Sequence, residues 1–141
     1  MKKLGGLLLL LAALLIISGG EVTPVDTVVV NPPPFVADKL CVLIIEETSA
    51  RGSYTAGQRA VILGTAPGSV SDTVKKGGGE IRIIDKDQSD FANDAPWVAA
   101  AFKVPHPDLP WIVAAGPKSG FSQKLPATAD EALKLIQSVK F

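Results

Sequence analysis

Cysteine is nearly absent from this chain: Cys41 is the only one. No intrachain disulfide can form, and no zinc cluster can be built on cysteines. Histidine is as scarce, with His106 alone between two prolines. A general base needs a positioned partner. Asp108 lies nearby, but no nucleophile or second ligand stands beside it, so His106 reads as a surface-turn residue. An excess of either charge is missing too: 14 Lys+Arg balance 14 Asp+Glu. That balance gives no general attraction to nucleic acid or anionic lipid. A phosphate cradle is also lacking. Lys75-Lys76-Gly77-Gly78-Gly79 is not followed by the Lys-Ser/Thr that a P-loop needs, and Gly64-Thr65-Ala66-Pro67-Gly68-Ser69 fails the same test.

What is present begins at the N-terminus. Met1-Lys2-Lys3 is a basic start, Leu4 to Ile17 is apolar apart from Gly5 and Gly6, and Ser18-Gly19-Gly20 supplies small residues. Basic, apolar, then small is the layout of a secretory signal peptide. At ~1.5 Å per residue the apolar run spans roughly 20–25 Å, short of a ~30 Å hydrocarbon core. Residues 1–20 are therefore expected to be a signal peptide cleaved after Gly20, with an uncleaved membrane anchor as the rival. In either case Lys2 and Lys3 stay inside and the rest is exported, periplasmic or extracellular. The membrane would be touched only through residues 4–20. Residues 21–38 read as a Pro-rich spacer. Thr27-Val28-Val29-Val30 is a candidate short edge strand, and Asn31-Pro32-Pro33-Pro34 must be extended because each proline fixes its own φ and restrains its neighbour.

One domain is expected over 39–141. Leu40 to Ile45 is a continuous apolar run, as in a strand buried on both faces. Thr48 to Ser53 reads as a loop. Thr55 and Gln58 form a capping-box pattern ahead of a helix over 56–63. Ser69 caps, and Gly77 stops, a short helix over 70–76. Glu80 to Asp85 is the second strand. Asp94 or Ala95 opens a helix with Pro96 in its first turn. Leu109-Pro110-Trp111-Ile112-Val113 is a strand led in by a candidate cis-proline. A hairpin at Gly116-Pro117-Lys118-Ser119-Gly120 connects it to a run over 121–125. Thr128-Ala129-Asp130-Glu131 is a full capping box for the last helix. The order is β-α-β-α-β-β-α: α/β class, a small mixed sheet between two helical layers, with the crossovers implying parallel pairing.

This order, with the proline at the mouth of the third strand and the hairpin after it, resembles the thioredoxin fold from about Lys39 to Phe141. Val42-Leu43-Ile44-Ile45-Glu46 and Ile83-Ile84-Asp85-Lys86-Asp87 look like its first two central strands, and Leu109 to Val113 looks like its cis-proline segment. That family carries Cys-x-x-Cys just after the first strand. The corresponding slot, Ala50-Arg51-Gly52-Ser53, has no cysteine. Dithiol exchange needs an attacking thiolate and a resolving partner, so the resemblance implies the fold without the oxidoreductase activity. It also implies a docking place, because backbone beside the cis-proline can pair with an extended peptide in that fold. Arg51, Ser53, Tyr54, Pro110 and Trp111 would line it.

The functional expectation is an exported, non-catalytic domain that binds a peptide or protein partner. No catalytic residue, metal ligand or cofactor is assigned. The alternatives are a single-cysteine redox enzyme using Cys41 and a structural envelope protein. Cys41 sits within an apolar run, where free cysteine behaves as a small hydrophobe. Asp85, Asp87, Asp90 and Asp94 form an acidic loop. Asp90 and Pro96 stand where a calcium loop needs glycine and glutamate, so it reads as a solvated loop with a helix cap. Trp97 and Trp111 read as core.

Overall fold

The structure is a computed structural model that describes residues 29–139. The signal-peptide or anchor reading of 1–20 lies outside the described residues. Among those described, no helix is long and apolar enough to cross a membrane.

Four strands form one mixed sheet: β1 (Cys41–Glu46), β2 (Glu80–Asp85), β3 (Trp111–Ala115) and β4 (Gly120–Lys124). A 3-10 turn, Thr48–Ser53, follows β1, and the α-helices are α1 (Ala56–Leu63), α2 (Val70–Lys76), α3 (Pro96–Phe102) and α4 (Ala129–Gln137). The sheet order is β2-β1-β3-β4. β1 is central and every residue in it is buried, as its unbroken apolar run requires. Its side chains alternate between two cores. Val42 and Ile44 pack with Val61, Val74, Phe121 and Ile136 from α1, α2, β4 and α4. Cys41, Leu43 and Ile45 pack with Val98 and Ala101 of α3 and with Phe35. Each fully buried Leu, Ile or Phe contributes about 1.5–3 kcal/mol, so the sheet holds its helices on both faces.

The expectation that helical crossovers impose parallel pairing holds for β1 and β2 and fails for β3. β1 and β2 are parallel, with Cys41 opposite Glu80, whereas β3 runs antiparallel to β1, with Trp111 opposite Ile45. The 86–110 connection leaves β2 and enters β3 at the same end of the sheet. One short helix carries the chain away, and the stretch holding Pro105, Pro107 and Pro110 returns it. β4 then closes an antiparallel hairpin with β3.

The helix ends follow local chemistry. Thr55 and Gln58 make a reciprocal capping box, and Ser69 caps α2 through Asp72 N–H. α4 departs from expectation. Thr128 Oγ1 accepts from Glu131 N–H, but the Glu131 carboxylate accepts from Thr128 Oγ1 instead of the Thr128 N–H, so only half of the box forms. Thr48–Ser53, read as a loop, is wound into the 3-10 turn. The Pro-rich stretch read as a spacer lies, in its described part, against the domain. Val29 packs on the α1–α4 core, and Phe35 is buried and stacked on Trp97 with ring centroids 6.0 Å apart.

Candidate functional site

The C-terminal end of β1 and the start of β3 meet at one end of the sheet. The strand register puts Trp111 opposite Ile45, one residue from Glu46. Glu46 is the charged residue that sequence reasoning missed. It is only 1% exposed, and its two oxygens accept from Arg51 Nε at 2.5 and 2.8 Å. A buried carboxylate is costly unless paired. The carboxylate in turn favours the charged form of Arg51. The signal was available in principle: Glu46 directly continues the buried run, and Arg51 is the first basic residue after it.

The turn that carries Arg51 is clamped from several directions. Glu47 N–H donates to Tyr54 Oη at 2.8 Å, and Thr48 N–H donates to Asp85 Oδ2 at 2.9 Å. Arg59 Nη1 donates to the Tyr54 carbonyl and, at 3.4 Å, to that of Arg51. α1 is fixed to the chain after β4: Gln58 Nε2 donates to the Leu125 carbonyl at 2.9 Å, and Thr55 Oγ1 to that of Ala127 at 2.6 Å. Gly57 makes this approach possible, since a Cβ there would lie 2.3 Å from Ala127 O.

The five residues expected to line a docking surface divide by role. Ser53 is exposed and donates to the Ala50 carbonyl at 2.7 Å. Arg51 is half-buried, with part of its side chain at the surface. Tyr54 and Pro110 are buried and do not present side chains to a ligand; Tyr54 braces the turn. Trp111 packs with the α3 core, on the opposite face from Tyr54, and its indole N–H donates to Ser122 Oγ at 2.8 Å. The five therefore share an end of the sheet but not one face. Leu109 adds what was not foreseen. The Leu109–Pro110 peptide is cis, and the Pro110 carbonyl accepts from Leu125 N–H at 2.8 Å. Among the described residues, the backbone N–H and C=O of Leu109 have no hydrogen-bond partner.

The remaining candidates resolve on their contacts. Cys41 lies at the other end of β1, and burial pushes its thiol up to about 11, which opposes a reactive thiolate. His106 Nδ1 is 2.8 Å from the Val104 carbonyl and its ring lies on Phe102. Asp108 pairs with Lys124 at 3.2 Å, so no His–Asp dyad is recorded. In the acidic loop, carboxylate oxygens of Glu47, Asp85 and Asp87 lie within 4.8 Å of one another, and Lys86 Nζ sits 3.1 Å from Glu47 and 2.9 Å from Asp87. Backbone N–H groups of Thr48 and Asp87 hold the Asp85 carboxyl down at about 2. Asp94, read as a helix cap, instead pairs with Arg82 at 2.5 Å, and Ala95 is the cap residue.

No protein-family model matches this chain, and neither a curated protein nor a solved structure is detectably similar to it.

Proposed function

We infer that this is an exported thioredoxin-like domain without dithiol chemistry, whose role is to capture an extended segment of a peptide or protein partner. The fold reading is supported by the strand order β2-β1-β3-β4, with β3 alone running antiparallel to the other three strands, and by the cis-proline that leads into β3. The observation that carries the binding reading is the Leu109 backbone beside that proline, which has no hydrogen-bond partner among the described residues. A free N–H and C=O pair at a strand mouth can extend a ladder into a ligand, and such recognition needs no thiol. The rigid 48–54 turn, with Arg51 and Ser53 at its surface, forms the other wall. Burial of Cys41 and its raised pKa count against the single-thiol enzyme.

The test is selection of displayed peptides on the immobilised protein, with Gly52→Trp as the counter-screen. A Cβ at Gly52 meets nothing within 4 Å, so the fold accommodates a side chain that obstructs this wall. The expected result is a family of enriched peptides whose binding weakens at least ten-fold in Gly52→Trp at unchanged Tm. Enriched peptides that bind the variant like the parent would overturn the reading.

A further inference from the structure

Among the described residues, β2 is an edge strand that pairs with β1 alone. Glu80 N–H donates to the Leu40 carbonyl at 2.9 Å, and Lys86 N–H to that of Glu46 at 2.8 Å. Successive residues of a strand turn their N–H and C=O groups to opposite sides. Residues 80, 82, 84 and 86 therefore serve β1, and Ile81 and Ile83 point outward. Among the described residues these two isoleucines have no backbone hydrogen-bond partner. The window closes on both sides. Gly79 N–H donates to the Val74 carbonyl, and the Asp85 carbonyl accepts from Gln88 N–H, each at 3.0 Å. What stays open is two residues placed symmetrically about Arg82.

Neither helical layer covers this edge. A cleft of about 310 Å³ runs along it, between Lys75 of α2 and Asp94 and Val98 on the α3 side. Proline, a bulge or a free charge would blunt an edge strand, and β2 has none of them. Its pairing with β1 is unbroken through all six residues, and its one cation, Arg82, is held by Asp94 at 2.5 Å. Ile81 and Ile83 stand next to each other, half-buried, on the face that packs with α2. The opposite edge of the sheet is better guarded: Val30 exchanges both backbone hydrogen bonds with Gly120 there, and Lys124 ends the strand.

We propose that a second copy of this chain occupies the edge, in a two-fold dimer whose β2 strands pair antiparallel about Arg82. The window is complementary to itself. An axis through Arg82 sets Ile81 opposite Ile83 of the second copy, and Ile83 opposite its Ile81. Each such pair exchanges both backbone bonds, so every free N–H and C=O of the two windows is used. Moving the axis to Ile81 sets Ile83 against Gly79, and moving it to Ile83 sets Ile81 against Asp85. In both cases the facing group is already taken within its own chain. With the axis at Arg82, four isoleucines meet on one face as cross-strand neighbours. On the other face the two Arg82 side chains meet with an Asp94 beside each, two cations with two anions. The product is one eight-stranded sheet. Its axis is perpendicular to the sheet, so the two Leu109 ends point in opposite directions and both stay open.

The experiment reads sedimentation mass and amide exchange on the full chain over one hundred-fold range of protein concentration. A dimer is expected, and in it the Ile81 and Ile83 amides exchange at least ten-fold slower than an unprotected amide. A monomer at every concentration would overturn the proposal, and so would a dimer with both amides unprotected. Protection of these amides in a monomer would also overturn it, because the chain's own N-terminal residues would then cover the edge. Disulfide trapping reads the register. In a Cys41→Ala background, Arg82→Cys occupies a non-hydrogen-bonded pair on the axis, where Cα atoms lie about 4.5 Å apart and a disulfide fits. Glu80→Cys is the control, since its two copies lie four residues out of register, about 13 Å apart along the strands at about 3.3 Å per residue. Arg82→Cys is expected to cross-link between copies at least ten-fold faster than Glu80→Cys, and a smaller ratio would overturn the proposed pairing.

Discussion

Arg51→Ala is the substitution with the largest calculable effect. It removes the cation from a carboxylate that is 1% exposed and leaves Glu46 between the end of β1 and the 48–54 turn. Removing one partner of a buried ion pair costs about 3–5 kcal/mol. Arg51 keeps 35% of its side chain at the surface, so water screens the pair in part, and we expect a loss of about 2–4 kcal/mol. Against a domain stability of roughly 5–15 kcal/mol, that is a large fraction. The measurement is urea unfolding followed by tryptophan fluorescence, since Trp97 and Trp111 report on opposite ends of the α3 core. The second variant separates charge from packing. Glu46→Met in the Arg51→Ala background replaces the stranded carboxylate with an apolar chain of similar length. It is expected to recover most of the loss, because apolar replacements of buried pairs are often neutral or stabilising. A loss below about 0.5 kcal/mol in Arg51→Ala, the range of ordinary surface substitutions, would refute the burial argument. So would a double variant no more stable than Arg51→Ala alone.

Gly57→Ala is expected to destabilise the domain. Helix propensity favours alanine by about 1 kcal/mol, but the added Cβ would meet Ala127 O at 2.3 Å and Thr128 Cα at 2.7 Å, and overpacking typically costs about 1–3 kcal/mol; a rise in urea midpoint would contradict this. Cys41 is expected to resist a small thiol reagent in the folded protein and to react on unfolding. Its thiol ionises near 11 when folded against 9.0 ordinarily, so stability should fall as pH rises from 9 to 11, and a Cys41→Ala variant should lack that alkaline loss. Asp85 works in the opposite direction. Its carboxyl is held at about 2 against 3.8 ordinarily, so its contribution is complete above the ordinary value and is lost as pH falls towards 2. Asp85→Asn should flatten that acid limb of the stability profile, and an unaltered limb would show that the Thr48 and Asp87 N–H bonds are not its source.

Much of the architecture was legible in short patterns. The apolar run of β1, the Thr55–Gln58 box, Ser69 and Gly77 around α2, and Pro96 in α3 each fix a boundary through local chemistry. The direction of β3 was not legible, because it depends on how the 86–110 connection returns and not on any residue within the strand. The site was only partly readable. Sequence placed Arg51, Ser53, Pro110 and Trp111 at one end of the sheet. It did not foresee that Trp111 turns to the α3 face and bonds Ser122, or that Tyr54 is consumed in bracing Glu47. Burial of Glu46 was missed because a strand boundary was drawn where the charge began. The unpaired Leu109 backbone carries no sequence signal, since every residue but proline has the same N–H and C=O.

The capture of an extended segment at Leu109 is tested most directly by mapping amide chemical shifts while a selected peptide is titrated into the protein. The account expects the largest changes at Leu109, Trp111 and residues 50–54, with added exchange protection at Leu109. Changes concentrated instead along the groove between α1 and α4, at Leu63, Ala66 and Leu133, would contradict it and move the binding surface to the helical face.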